Sequence, residues 1–195
     1  MICFIGICAT CNKRIDCKQT IYSFSTALKA YPDSDSINIG DTLWIEFYQP
    51  VVLTDVISGS SVNYSEAVNL GTVLSFVEFE KSQERGAVAD FKLQLYEGKI
   101  SPTIKDSDIN QEYLFVEESA YYKFKLAIIP KKRGNYVVTI SNANNVYRKS
   151  DKCTKASFEL KYGNTNQHFY LLKQWQPDID LQEPGKSRVY YFKVK

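Results

Sequence analysis

The sequence predicts a mainly β protein in which two sheets pack face to face, with one short helix before the last strand. Three observations carry that expectation. Tyr and Phe number fourteen and eleven and come with abundant Val, Ile and Thr, residues that suit a pleated, half-buried surface. Short runs alternate between apolar and polar residues and are separated by Gly, Pro, Asn, Asp and Ser clusters. No internal repeat, low-complexity tract or linker divides residues 18–195, which therefore read as a single β-sandwich domain.

The elements follow in order. Residues 18–28 form a first strand with Tyr22, Phe24 and Thr26 on one side and Ile21, Ser23 and Ser25 on the other. Pro32-Asp33-Ser34-Asp35-Ser36 is a turn. Gly40-Asp41 then bends the chain into a strand whose Leu43, Ile45 and Phe47 share a face, with Trp44 opposite. Residues 59–61 and 64–69 make a connection with room for a helical turn. Further strands are expected at 51–57, 72–80, 88–96, 112–117, 121–129, 135–141, 155–162 and 188–194. Two packed sheets account for the alternation, since each strand then has one face in the core and one in water.

One stretch narrows the architecture. Between Ile128 and Ile140 a strand ends at Pro130, turns at Gly134 and restarts with Tyr136. This is similar to the corner before a late strand of immunoglobulin-like sandwiches, and the resemblance implies an immunoglobulin-like β-sandwich in which the Tyr136 hydroxyl bonds back to backbone. The helix is expected over Asn164–Trp175. Asn164, Thr165 or Asn166 would cap it, Phe169, Leu172 and Trp175 fall at helical spacing, and Pro177 ends it.

Bulk composition excludes several functional classes. Hydrophobic residues at 44% and charged residues at 24% argue against both disorder and a membrane-spanning body. Net charge is +2, with both signs mixed. The one basic run, Lys131-Lys132-Arg133, precedes Gly134 and reads as a turn, so no nucleic-acid partner is expected.

The amino terminus carries the strongest localisation signal. Ile2 to Ala9 is an apolar run too short to cross a bilayer, and small residues and Cys11 follow it. Ile7-Cys8-Ala9-Thr10-Cys11 looks like a bacterial lipobox, with Cys8 where Leu is usual and Thr10 where Gly, Ala or Ser is usual. Tyr22-Ser23-Phe24, Asp41-Thr42-Leu43-Trp44 and Tyr64 to Gly71 extend the resemblance to uncharacterised lipoproteins of Bacteroidetes-type bacteria.

That resemblance implies residues 1–10 as a lipoprotein signal peptide, Cys11 as the lipidated residue and 11–17 as a short tether. Durable attachment then comes from several acyl chains on one cysteine. The alternative is that Ile2 to Ile7 is a first buried strand. With Cys3 and Cys8 removed and Cys11 acylated, Cys17 and Cys153 remain. A leftover pair in an exported protein points to a disulfide, the alternative being two unpaired thiols.

Catalytic signals are sparse. His168 is the single histidine and sits near the expected helix start, where a surface or capping role fits. Neither a GxSxG elbow nor an HExxH pair occurs. Carboxylate pairs occur at Asp33/Asp35, Glu78/Glu80, Glu117/Glu118 and Asp178/Asp180, but spacing alone does not place two of them across a cleft. Asp33-Ser34-Asp35-Ser36 starts like a calcium loop without the glycine and distal glutamate that close one. No metal or cofactor is expected. Asn63-Tyr64-Ser65 matches a glycosylation pattern that carries little weight in a bacterial lipoprotein.

Exposed aromatics are the best functional lead. With Tyr122, Phe124 and Leu126 in the core, Tyr121 faces solvent beside Lys123 and Lys125, and Tyr191 does so beside Lys193 and Lys195. Two such strands side by side would form a tyrosine and lysine surface for a glycan or a protein. Routine packing of tyrosine against lysine stems is the alternative. The expected protein is a lipid-anchored, non-enzymatic binding or scaffolding protein of the bacterial cell envelope, at the outer membrane or its periplasmic face. A carbohydrate-binding module or glycan-active enzyme is the alternative.

Overall fold

The computed structural model describes residues 17–80, 83–103, 107–164, 167–177 and 187–195, so the expected signal peptide, Cys11 and nearly all of the tether lie outside the described residues. The strands are β1 (Thr20–Tyr31), β2 (Ser36–Ile37), β3 (Leu43–Pro50), β4 (Val52–Thr54), β5 (Ser61–Asn63), β6 (Ala67–Val68), β7 (Gly71–Glu80) and β8 (Gln83–Gly86). They continue as β9 (Phe91–Glu97), β10 (Lys99–Ile100), β11 (Asn110–Leu114), β12 (Val116–Glu118), β13 (Tyr121–Pro130), β14 (Gly134–Ile140), β15 (Ala143–Arg148) and β16 (Thr154–Tyr162). Helix α1 (Tyr170–Trp175) precedes β17 (Val189–Val194).

The expected β-sandwich is the fold. One sheet runs β12-β13-β3-β1-β16-β15-β6, with β9 also on β13, and the other runs β10-β11-β7-β14-β17-β2, with β8 on β7. Their inner faces meet in one core. Leu28, Leu43, Ile45, Phe47, Phe124 and Phe158 come from the first sheet, and Leu74, Phe76, Tyr136, Val138, Tyr190 and Phe192 from the second; all are fully buried. Aromatic contacts cross between the layers, with Tyr113 and Phe124 at 5.3 Å and Tyr162 and Tyr190 at 5.7 Å between ring centroids. The Tyr162 hydroxyl also donates to the Val138 carbonyl. Buried Tyr is tolerated here because its polar end finds an acceptor.

Most pairings are antiparallel, but β1 lies parallel to β16 in register from Thr20 opposite Thr154 to Leu28 opposite Tyr162. A parallel pair needs a long crossover, and here nearly the whole domain supplies it. Cys17 and Cys153 are joined by a disulfide, with Cα atoms 5.9 Å apart, next to where this ladder begins.

The tyrosine corner is present. Tyr136 is fully buried, and its hydroxyl faces two acceptors, the Lys132 carbonyl and Asp90 Oδ2, each at 3.1 Å. Tyr136→Phe removes that donor while keeping the ring. We expect a loss of about 1–3 kcal/mol, read as a lower denaturant midpoint at unchanged slope. An unchanged midpoint would show that the corner bond contributes nothing net.

Several elements depart from expectation for identifiable reasons. The strand expected at 88–96 begins at Phe91 because Val88–Asp90 form a 3₁₀ turn that turns Asp90 toward Arg85 and Tyr136. Residues 64–69 hold no helical turn; Glu66 and Asn69 have positive φ around the short β6. Strand β15 was not expected because Asn144 and Asn145 are poor strand residues. Asn145 takes φ 58° within a register shift between Ala143 and Val146, and pairing with β16 holds the rest.

The helix is shorter than expected and lies elsewhere. Asn164 does not cap it: its side-chain amide pairs with the backbone of Ala30, accepting from the amide at 2.8 Å and donating to the carbonyl at 2.7 Å. Thr165 and Asn166 lie outside the described residues. Leu171 and Leu172 pack with Phe169 and Trp175 onto Phe79, Val137, Val189 and Tyr191, on the outer face of the second sheet.

Candidate functional site

That helix corrects the expected tyrosine and lysine surface. Tyr191 is 3% exposed, covered by Phe169 and Trp175 at ring distances of 5.9 and 6.1 Å. Burial pushes its phenol up to about 12. Lys193 stays exposed, but β17 and β13 belong to different sheets, so Tyr191 and Lys193 do not join Tyr121 and Lys123. Period-2 alternation identified the side of β17 on which Tyr191 lies, but not that a helix covers it.

The part of the expectation centred on Tyr121 and Lys123 belongs to a larger surface, the outward face of β1, β3, β9 and β13. Along β3 the outward residues are Trp44, Glu46 and Tyr48; on β13 they are Tyr121, Lys123 and Lys125. Register places Tyr31 at the end of β1 opposite Trp44, and Lys125 opposite Glu46. The Tyr31 and Trp44 rings are nearly parallel at 6.2 Å, and Tyr96 of β9 meets Trp44 edge-on at 5.0 Å. Lys125 Nζ lies 5.1 Å from the Trp44 ring centroid, within cation–π range. A second stack, Tyr48 on Tyr121 at 4.5 Å, continues the stripe. Tyr48 and Tyr96 are 58% and 56% exposed, so this is ring surface facing water rather than core.

The lysines that flank the aromatic rings are paired, while Lys29 of β1 and Lys92 of β9 stand exposed on the same face. Lys123 donates to Glu118 at 2.5 Å, and that bond raises the lysine and lowers the glutamate from their ordinary values. Lys125 sits 3.7 Å from Glu46, and the Tyr31 hydroxyl, followed by the Glu46 and Glu97 carboxylates, raises it too. The stripe offers π surface bordered by the exposed ammonium groups of Lys29 and Lys92. Sequence patterning found Tyr121 and Lys123 but missed Tyr31, Tyr48 and Tyr96. Tyr48 and Trp44 alternate with the buried residues of β3, and Tyr96 alternates with Phe91, Leu93 and Leu95 of β9, so all three could have been read as outward; which rings meet depends on the strand order and on the register shift between β9 and β13.

The other expected chemistry resolves residue by residue. His168 is buried rather than a surface or capping residue: Nδ1 lies 3.1 Å from the Tyr191 carbonyl, Nε2 lies 3.6 Å from Asp33, and the ring meets Tyr190 edge-on. Asp35 accepts from the Tyr170 hydroxyl, Glu117 accepts from the Glu66 amide, and Asp178 and Asp180 lie outside the described residues. Glu78 is partnered by Arg85 and Lys132 rather than by Glu80, whose side chain is outside the description. Arg85 also binds Asp90, so Glu78 and Asp90 share one guanidinium at the edge of a groove of about 650 Å³ lined by Lys132, Arg133 and Lys193. Two carboxylates held by the same arginine form a brace linking β7, β8 and the 3₁₀ turn before β9. Among the described residues no group of three or more His, Cys, Asp or Glu side chains is placed to hold a metal ion. None of the helices among them is long and apolar enough to cross a membrane.

No family model, curated protein or solved structure matches the chain. Functional reading therefore rests on the geometry of these surfaces.

Proposed function

We propose that the protein is a non-enzymatic binding protein of the bacterial cell envelope, tethered by a lipid on Cys11, whose aromatic sheet face holds a neutral glycan. The observation that carries this reading is the position of that face. Tyr31 and Trp44 stand at the far end of β1 from the Cys17–Cys153 bridge, about 36 Å away for eleven steps of extended chain. A tether leading into the bridge then leaves the aromatic end pointing away from the attachment point.

The ligand class follows from the charges. Beside the stacked rings Lys123 and Lys125 are already paired and gain little from an ionic ligand, while sugar C–H faces stack on exposed rings without needing countercharge. Binding to a protein is the competing outcome. Trp44→Ala and Tyr48→Ala are expected to weaken retention on insoluble neutral polysaccharides about tenfold each, the size of one well-placed interaction. Both residues are at the surface, so folding changes little. Retention equal to wild type, or binding seen only to a protein, overturns the glycan reading.

The tether is tested separately. Cells fed radiolabelled palmitate are expected to label the wild-type chain and not Cys11→Ala; label persisting in the variant refutes attachment at this cysteine.

A further inference from the structure

A second polar site lies in the other sheet and is independent of the aromatic face. Strands β7 and β11 and the β14–β15 connection enclose a recess of about 490 Å³, within the size range of small-molecule pockets. Glu112 of β11, in register with Val73 of β7, lines it together with Thr72, Ser101, Thr103, Ser141 and Asn142. The Glu112 Oε2 atom is shielded from solvent and has no hydrogen-bond partner among the described residues. Buried acceptors of this kind are costly and usually find a donor.

The walls around it are fixed and still hold spare protons. Ser141 Oγ accepts from the Val73 amide at 2.9 Å, and Asn142 Oδ1 accepts from the Leu160 amide at 3.0 Å. Thr103 Oγ1 accepts from Ser101 Oγ at 3.0 Å. Each of these three groups is oriented by the bond it accepts and retains at least one N–H or O–H to give. The recess thus combines one unsatisfied carboxylate acceptor with three oriented donors.

That combination selects among ligands. Among the described residues no Lys or Arg lines the recess, and Glu112 would repel an anion. A calcium ion wants about six to eight oxygen ligands, usually with several carboxylates, and the described lining has one. A polyhydroxylated neutral molecule fits, because each of its hydroxyls can donate to Glu112 while accepting from a neighbouring wall group. We infer that the recess binds one neutral sugar residue, with Glu112 accepting from two adjacent ligand hydroxyls and Thr103, Ser141 and Asn142 donating to the ring's other oxygens.

The test uses the full chain and saturation-transfer NMR with glucose, galactose, mannose and N-acetylglucosamine as probes, alongside calcium chloride and sodium sulfate. Transfer to at least one sugar is expected, weakened at least tenfold in Glu112→Gln and also reduced in Ser141→Ala. The variants are also compared in a Trp44→Ala background, where sugar contact at the aromatic face is weakened, so that transfer remaining there and lost with Glu112→Gln reports the recess alone and failure of the two readings is distinguishable. Ser141→Ala serves as the arbiter if Glu112→Gln does not fold. Transfer to none of the four sugars, transfer that neither variant alters, or stabilisation by calcium or sulfate alone overturns the inference.

Discussion

Removing the Cys17–Cys153 bridge, by dithiothreitol or by a Cys17→Ser/Cys153→Ser double substitution, is expected to lower stability by up to about 5 kcal/mol on the chain-entropy estimate. The size follows from the 136-residue separation of the two cysteines. In the reduced chain, β1 must find β16 across that whole span before any of the ladder from Thr20 to Leu28 can form, and loop closure is costly before those contacts exist. Urea unfolding followed by tryptophan fluorescence checks it. The midpoint should fall on reduction for the wild type, and dithiothreitol should have no effect on the double variant. A wild-type midpoint indifferent to reductant would mean that the crossed span is held together in the unfolded chain by other means.

Phe158→Ala is expected to cost about 3–5 kcal/mol, the range for deleting a buried aromatic ring. Phe158 is fully enclosed, 5.0 Å from Phe24 and 5.9 Å from Tyr64 between ring centroids. Its neighbours have little freedom to fill the space. Tyr64 is held by its hydroxyl, whose one proton faces the Val146 and Thr154 carbonyls at 3.1 and 3.3 Å, and its own carbonyl accepts from Tyr122. Phe158→Leu keeps most of the volume and should cost clearly less. A Phe158→Ala loss below about 1 kcal/mol would show that the cluster collapses into the hole, contrary to the constraint placed on Tyr64.

These two positions also show how far residue patterns reach. Phe158 and Phe24 were readable as inward because each alternates with polar neighbours along its strand. Their being opposite one another was not, because it depends on the parallel register of β1 on β16, set by a chain reversal spanning most of the domain. The Cys17–Cys153 pairing was reached by counting cysteines, and the adjacent strands supply its geometry. The corner at Tyr136 was legible because proline, glycine and tyrosine sit at fixed short offsets, and the hydroxyl needs only the carbonyl four residues earlier.

The candidate sites were legible only in part, for the same physical reason. Tyr121 and Lys123 could be placed outward by alternation. Tyr191 alternates just as clearly, but whether an outward residue meets water or a helix depends on what packs over it, and α1 covers it. Glu112 gave no signal, since an unsatisfied buried oxygen is defined by neighbours from β7 and the β14–β15 connection that are distant in sequence.

By itself the sequence determined that this chain is a β-sandwich, which strands supply its core, and that a tyrosine corner opens β14, and it pointed to Cys17 and Cys153 as the pair. Tertiary structure alone decided the parallel β1–β16 ladder, the placing of α1 on the outer face of the second sheet, the aromatic stripe across four strands and the polar recess at Glu112. Local properties follow from side-chain period and turn chemistry, which act over a few residues. Surfaces and recesses are made by residues brought together from distant parts of the chain, and only the folded arrangement fixes which of them meet.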